Sequence, residues 1–227
     1  MSEKKSGFKL RTIGIILLLV VMPLLSWVYL QAGFNYYKDA MSELKNYGDM
    51  PAFSFVNQKG ETLNQADVKG KLNVLAFYSK SSSYTEEMMS NIDKLHEQFN
   101  EREDVAFLMY DMDSATPEDL QAVASKYDIK DDKQCFLLSG EPQQLQQFLS
   151  KGIKMPQSTD AVDEEKGYTL QAVANSDMTN YPYFVFVDTS ASIRNYYAID
   201  NSRSVARLVE HMALLLPRNN NRTKVIQ

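Results

Sequence analysis

The sequence contains few of the residues that carry redox and metal chemistry. It has one cysteine and two histidines in 227 residues. A single cysteine excludes a disulfide within the chain and also excludes a dithiol redox centre. The histidines, His96 and His211, match no metal-ligand spacing, so we expect no histidine-rich metal site and no bound cofactor.

Motifs of common enzyme classes are also absent. The serine-rich stretch 79–83 lacks the Gly-x-Ser-x-Gly elbow of a hydrolase. The pair Gly70-Lys71 lacks the preceding glycine of a phosphate-binding loop. Nothing in the sequence therefore favours an enzyme.

The charge of the chain is unevenly distributed. The net charge is −5, and the first eleven residues carry +3, so the remainder carries −8. An acidic body of this kind argues against nucleic acid as a partner.

The length and the 44% hydrophobic content predict one sizeable core with appendages.

An apolar stretch without charges runs from Ile13 to Leu30. Its eighteen residues are about enough to cross the hydrocarbon core of a membrane as a helix. Basic residues precede it, and Trp27 and Tyr29 lie near its far end, which predicts a cytoplasmic N-terminus. A cleaved signal peptide is the alternative, but the run is long and no small-x-small cleavage site follows it. We expect a single-pass anchor in a bacterial inner membrane, with the body in the periplasm.

The domain organisation follows from this anchor. We predict a cytoplasmic basic tail over 1–12, the anchor over 13–30 and a juxtamembrane linker over 31–49. A folded domain over 50–216 and a disordered tail over 217–227 complete the chain. Within the domain, the acid-rich segment from Gly152 to Asn175 matches no calcium loop and predicts an exposed insertion.

Apolar runs and helix signals alternate along this domain. The run from Asn73 to Thr85 predicts a buried strand, a polar loop and the start of a helix, with Ser83-x-x-Glu86 as a capping box. Thr116-Pro117 predicts a second helix start, and its buried stripe contains Leu120, Val123, Ala124 and Tyr127. Three further segments predict two hairpin strands and a final helix: 183–188, 193–198 and 202–216. This order predicts an α/β domain with a mixed sheet flanked by helices.

Several motifs carry a resemblance to a known family. They are Pro51-x-Phe-x-Phe, Gly60, Gly70-Lys71, Asp111-Met-Asp-Ser-Ala-Thr-Pro-Glu-Asp-Leu120 and Phe136-Leu-Leu-Ser-Gly140. With the anchor, they make the chain from about Pro51 to His211 resemble the thioredoxin-like superfamily. Within it, the chain is similar to the Sco/SenC family of membrane-anchored copper chaperones for cytochrome c oxidase assembly.

The resemblance also implies what this chain lacks. The family binds copper through a Cys-Pro-x-x-Cys-Pro loop and a later histidine. The resemblance places Lys80 and Tyr84 at the two cysteine positions and Asn180 at the histidine position. It also makes Pro182 similar to the cis-proline of thioredoxin-like proteins, although an ordinary trans-proline remains open. The chain is therefore interpreted as a degenerate member with a vestigial site at Lys80, Tyr84, Asn180 and Pro182.

Two functions remain open. The first is a non-catalytic interaction protein that holds a partner, such as an intermediate in respiratory-complex assembly, through the loop face and its aromatics Tyr84, Tyr181 and Tyr183. The second is copper or thiol chemistry at a non-standard site, with Cys135 and the methionines at positions 88, 89, 109 and 112 as ligands. The apolar surroundings of Cys135 favour a buried structural residue instead.

Overall fold

The computed structural model describes residues 6–130, 133–156, 170–172 and 180–217. The chain divides into two compact units, residues 1–42 and 43–227. The acidic positions 160–165 of the predicted insertion lie outside the described residues, and so does the predicted tail beyond Pro217.

The first unit is a single helix. α1 (Ser6–Glu43) has 38 residues and contains Pro23. Its apolar side chains between Ile15 and Tyr37 are exposed. In the part of the chain that the structure describes, it is the one helix long and apolar enough to cross a membrane. The helix continues through most of the predicted linker, which extends it well beyond the apolar run.

The second unit is built on a mixed seven-stranded sheet. Its strands are β1 (Ser54–Asn57), β2 (Thr62–Asn64), β3 (Leu72–Tyr78), β4 (Val105–Asp111), β5 (Cys135–Ser139), β8 (Tyr183–Val187) and β9 (Ile193–Ala198), in the spatial order β2-β1-β5-β4-β3-β8-β9. Strands β3, β4 and β5 are parallel, and every other pairing in this sheet is antiparallel. A separate pair joins β6 (Lys154–Pro156) to β7 (Leu170–Ala172). The predicted mixed α/β architecture is confirmed.

Five helices follow α1 along the described chain. They are α2 (Gln65–Val68), α3 (Thr85–Phe99), α4 (Pro117–Lys126), α5 (Pro142–Gly152) and α6 (Ser202–Leu215). α3 connects β3 to β4, and α4 connects β4 to β5. Because such crossovers are right-handed and both step in the same direction across the sheet, α3 and α4 cover the same face.

The other face holds the main hydrophobic cluster. Alternate residues of the central strands belong to it, such as Leu75 and Phe77 of β3, and α5 contributes Leu145, Phe148 and Leu149. Because strand side chains alternate between faces, the residues between them point toward α3 and α4. All seven residues of β3 and of β4 are buried, so both faces of these central strands are covered.

Both predicted helix starts are confirmed, but one of the two predicted caps was wrong. At α4, Thr116 is the N-cap and exchanges hydrogen bonds with Asp119 in a capping box. α3 begins at Thr85 as expected, but Tyr84 occupies the N-cap and makes no side-chain cap bond. The backbone N–H of Ser83, which a capping box would pair with Glu86, donates to Asn180 instead.

The described beginning of the segment predicted as an exposed insertion packs against the domain. Its first residues form β6, which pairs with β7. Ile153 is buried, and so is Pro156. The expectation of an exposed loop was therefore wrong for 153–156, where the chain returns to the core before the part that lies outside the described residues.

Candidate functional site

The loop between β3 and α3, residues 79–84, is anchored at both ends. On one side, the Lys80 backbone N–H donates to Asp113 Oδ2 at 2.6 Å. The hydroxyl groups of Ser79 and Ser81 are hydrogen-bonded to each other at 2.9 Å. The Thr85 hydroxyl donates to the carbonyl of Ser79 at 2.9 Å. The loop is therefore a defined surface, tied to the segment that follows β4.

Asn180 ties the loop to the segment that precedes β8. Its Oδ1 accepts hydrogen bonds from the Ser82 hydroxyl at 3.0 Å, the Ser83 N–H at 3.0 Å and the Ser83 hydroxyl at 3.2 Å. The structure thus brings the predicted position Asn180 against the predicted loop, 97 residues away in sequence. Lys80 is exposed beside it, and Tyr84 is half-buried at the N-cap of α3.

The donor set at this site does not fit copper. An ammonium cannot coordinate a metal while it is protonated, and phenol and amide oxygens are poor ligands for Cu(I), which prefers thiolate, thioether and imidazole. Asn180 Oδ1 already accepts three hydrogen bonds from the loop. Lys80, Tyr84 and Asn180 therefore form a hydrogen-bonded polar surface rather than a metal centre.

Of the two alternatives left open for Pro182, the structure has the trans form, and the expectation that Tyr181 and Tyr183 are exposed was wrong. The described residues contain no cis peptide bond, so Tyr181 and Pro182 are joined in the trans form. An X–Pro bond favours the trans form by about 0.5–1 kcal/mol. Tyr181 makes its contacts while this bond is trans. Tyr181 and Tyr183, expected on the exposed face, are buried. The Tyr181 ring packs edge-on against Phe77, and its hydroxyl donates to the Lys154 carbonyl at 2.5 Å.

A cavity of about 350 Å³ opens beside the loop, between α3 and α4. Its lining includes loop residues such as Ser79 and Lys80.

The sequence predicted Val123, Ala124 and Tyr127 as part of a buried stripe on α4. They are only partly buried, and Leu120 is the buried residue of this helix. The difference arises because Val123 and Tyr127 line the cavity instead of packing on the sheet.

The floor of the cavity is formed by two polar residues at adjacent strand ends. Tyr78 ends β3, Asp111 ends β4, and the two are paired in register. Their exposed fractions are 2% and 1%. Burial raises the pKa of Asp111, and the backbone hydrogen bonds from Ala115 and Asp113 partly offset this increase. Burial also raises the pKa of the Tyr78 hydroxyl, and the negative charge of Asp111 raises it further.

The two floor groups differ in their hydrogen bonding. Asp111 Oδ1 accepts from the backbone N–H groups of Asp113 at 2.9 Å and Ala115 at 3.0 Å. The Tyr78 hydroxyl is buried near this carboxylate and makes no hydrogen bond of ordinary geometry with a described residue. The floor therefore has an acidic group at the cavity and a hydroxyl buried beside it.

An exposed ionic cluster joins α3 to α4 at the rim. Lys126 Nζ lies 2.7 Å from Glu86 Oε1, and the Tyr127 hydroxyl donates to the same oxygen at 2.9 Å. The hydrogen bond from Lys126 lowers the pKa of Glu86, and the hydrogen bond to Glu86 raises the pKa of Lys126 to about 12. Because these groups are exposed, their attraction is largely screened by water.

The lone cysteine lies at the opposite end of the sheet from the loop. Cys135 is level with Phe107 and so with Val74, four residues before the end of β3, or about 13 Å away along the strand. Cys135 is buried, as predicted. It lines a second cavity of about 230 Å³ together with Met89 and His96.

The methionines considered as ligands are mainly packing residues. Met88, Met89 and Met109 are buried, and Met112 packs against the main cluster. Among the described residues, no group of three His, Cys, Asp or Glu side chains is placed to hold a metal ion.

The sequence interpretation missed the cavity floor and the rim. A usable signal was present, because Tyr78 and Asp111 end consecutive parallel strands, whose carboxyl ends meet at one edge of a sheet. The ionic cluster had no such signal. Glu86 and Lys126 lie 40 residues apart and meet only because α3 and α4 cover the same face.

A family model and solved structures match the chain. The model described as SCO1/SenC matches residues 42–212. A SCO1/SenC family lipoprotein from Bacillus anthracis is 20% identical with a TM-score of 0.57, and the match covers 74% of this chain and 95% of that one. ScoI from Bradyrhizobium japonicum, solved with copper bound, is 14% identical with a TM-score of 0.54, covering 74% and 100%. No curated protein matches the chain.

Thioredoxin-like proteins outside this family also match. The thioredoxin domain of a thiol-disulfide oxidoreductase from Bacteroides vulgatus is 15% identical with a TM-score of 0.51, covering 74% of this chain and 96% of that one. At such identities the structural matches show the fold alone. They confirm the predicted thioredoxin-like fold, and the family model confirms the predicted resemblance.

Proposed function

Because the chain belongs to the SCO1/SenC family, we propose that it is a membrane-anchored family member that binds a partner protein without catalysing a reaction. The binding surface is the loop face, defined as residues 79–84 together with Asn180. One observation carries this proposal: Asn180 Oδ1 accepts three hydrogen bonds from Ser82 and Ser83. The loop is thus held in one conformation by groups that have no redox or metal chemistry.

The absence of a thiol pair supports a non-catalytic function. Thiol exchange needs an attacking thiolate and a resolving partner, and this chain has one cysteine. That cysteine lies at the other end of the sheet from the loop face. A rigid polar surface beside a cavity is suited to recognition, which needs a preformed shape rather than reactive groups.

The relatives suggest the kind of partner. One structural match, 17% identical with a TM-score of 0.54, is BsSco, described as a member of the Sco family of cytochrome c oxidase assembly proteins. For the present chain, the partner is an intermediate in the assembly of a respiratory complex. The anchor is α1, with the N-terminus in the cytoplasm and residues 50–216 as the domain in the periplasm of a bacterium. The basic residues that precede the apolar run support this orientation.

Affinity purification of the full-length protein from gently solubilised native membranes tests the proposal. The wild type is compared with Ser83→Arg, which places a bulky side chain in the loop face. The matched control is Ser190→Arg in the exposed turn between β8 and β9. That turn lies at the end of the sheet away from the loop, because β8 is antiparallel to β3.

We expect specific membrane proteins to be recovered with the wild type and with Ser190→Arg, and their recovery to fall with Ser83→Arg. A half-buried aromatic is tested in the same way with Tyr84→Ala. Equal recovery with all the variants would contradict the assignment of the surface. Recovery of no specific protein with the wild type would contradict partner binding itself.

A second candidate function is soft-metal or thiol chemistry at Cys135. The observation in its favour is that Cys135, His96 and Met89 line one cavity, which brings together a thiol, an imidazole and a thioether. A Cu(I) titration of the full-length protein, with Cys135→Ser as the control, tests it. Tight stoichiometric binding that is lost in Cys135→Ser would favour this function over partner binding.

A further inference from the structure

The cavity beside the loop has a polar floor and apolar walls. Asp111 and Tyr78 form the floor, and Ala115, Ala122 and Val123 contribute to the walls. A volume of about 350 Å³ is at the lower end of the range of known ligand pockets. The cavity therefore has room for one side chain or one small molecule, with a polar end and an apolar stem.

The floor selects the charge of that polar end. Asp111 can only accept hydrogen bonds when it is ionised, and both of its backbone hydrogen bonds go to Oδ1. The Tyr78 hydroxyl is buried beside this carboxylate. A cation can donate hydrogen bonds to Asp111, whereas an anion would be repelled by it.

The charges at the rim leave this preference intact. Lys126 is neutralised by Glu86 in the ionic cluster. Lys80 is exposed at the mouth, where its charge is screened by solvent. The deepest charged group in the lining is therefore the buried carboxylate of Asp111. The body of the chain is also acidic, which favours the approach of a basic partner.

We infer that this cavity binds the side chain of a lysine or arginine that the partner protein inserts beside the loop face. The cationic head contacts Asp111, and the methylene stem packs on the alanine and valine walls. This inference rests on the proposed function for the source of the side chain. A free alkylamine has the same chemistry and is the other source that the experiment distinguishes.

Binding of side-chain mimics to the full-length protein in lipid nanodiscs tests the chemistry. The probes are lysine and arginine blocked at both backbone ends, and blocked norleucine is the matched neutral control with a similar stem. Saturation-transfer NMR, with empty nanodiscs subtracted, measures their binding. We expect binding of the two cations and none of norleucine. Equal binding of norleucine would overturn the inference.

Variants locate the binding at the floor. A hydrogen bond to a charged group contributes about 1.5–3 kcal/mol. Asp111→Asn should therefore lower the affinity for blocked lysine about tenfold or more. Tyr78→Phe removes only the hydroxyl that is buried beside Asp111, and it should change the affinity less than Asp111→Asn does. Glu118→Gln is the matched control, since Glu118 is exposed on α4 outside the lining, and it should leave the affinity nearly unchanged.

Ala122→Phe provides a test that does not alter the floor. Ala122 is exposed on α4 and lines the cavity, so a phenyl ring there would fill the space without a change in the core. It should abolish binding of blocked lysine. If both Ala122→Phe and Asp111→Asn still bound blocked lysine, the inference would be overturned. Two variants are used so that poor folding of one of them does not decide the result.

Competition separates this inference from the proposed function. If the partner inserts a basic side chain, millimolar blocked lysine should reduce recovery of the partner in the affinity purification, and blocked norleucine should not. Lysine binding without any recovered partner would contradict the proposed function and assign the cavity to a free amine. A recovered partner with no lysine binding would leave the proposed function standing and refute the inference.

Discussion

Replacement of Asn180 by alanine removes the oxygen that joins loop residues 79–84 to the segment that precedes β8. Three donors reach this oxygen, at 3.0, 3.0 and 3.2 Å. A carbonyl oxygen has two lone pairs, so we count two full hydrogen bonds rather than three. Each contributes about 0.5–1.5 kcal/mol. Because Asn180 is exposed and water can replace part of the loss, we expect Asn180→Ala to cost about 1–2 kcal/mol of unfolding free energy.

Denaturant unfolding of the full-length protein, followed by near-UV circular dichroism, measures this cost. Hydrogen exchange adds a local measurement, since the Ser83 amide should lose protection in Asn180→Ala. Asn180→Asp is the matched control, because it retains an oxygen acceptor of the same length. It should lose less stability than the alanine variant and should keep the Ser83 amide protected. If the Ser83 amide kept its protection from hydrogen exchange in Asn180→Ala, the claim that Asn180 holds the loop would be refuted.

Two other perturbations test the core beneath the site and the charge at its floor. A Cβ added at Gly140 would lie 2.3 Å from Cδ1 of the Phe55 ring, and this ring is buried. Gly140→Ala should therefore lower the free energy of unfolding by about 1–3 kcal/mol, as measured by denaturant unfolding. Burial raises the pKa of Asp111 in the folded state, so the folded protein binds its proton more tightly than the unfolded chain does. Stability should therefore fall as the pH rises from about 4, the ordinary carboxyl value, through the raised pKa, and Asp111→Asn should remove that fall.

Each of these predictions has its own control. For the glycine, Phe55→Leu should relieve the contact, so the double variant should be less destabilised than the sum of the single variants. A fully additive double variant would contradict the steric explanation. For the carboxylate, Glu118→Gln changes an exposed acid that does not act on Asp111 and should keep the pH dependence of the wild type. Parallel pH profiles for the wild type and Asp111→Asn would contradict the effect of burial.

Much of the fold could be predicted from local patterns. The apolar runs at 72–78, 105–111 and 183–187 are buried strands, because only a central strand can bury an uninterrupted apolar run on both faces. The start of α4 was predicted for a similar reason, since Thr116, Pro117 and Asp119 form the cap within four residues of sequence. In both cases the interactions that decide the structure are local or depend on composition alone.

The errors occurred where distant segments meet. Ser83 and Glu86 match a capping box, but the backbone N–H of Ser83 donates to Asn180, 97 residues away, and not to Glu86. Val123 and Tyr127 have the spacing of a buried stripe, yet they border a cavity that depends on the separation of α3 from α4. Tyr181 was expected on the loop face as an interface aromatic, but its ring is buried and its hydroxyl donates to the carbonyl of Lys154.

The sequence by itself determined the apolar helix, the α/β order, the family and the absence of a thiol pair, because these follow from composition and from patterns within a few residues. The tertiary structure alone decided that Asn180 closes the loop and that Tyr78 and Asp111 form the floor of a cavity. It also decided that Cys135 lies about 13 Å along the sheet from that loop. These relations depend on strand register and on the packing of helices across the sheet, which connect residues far apart in sequence.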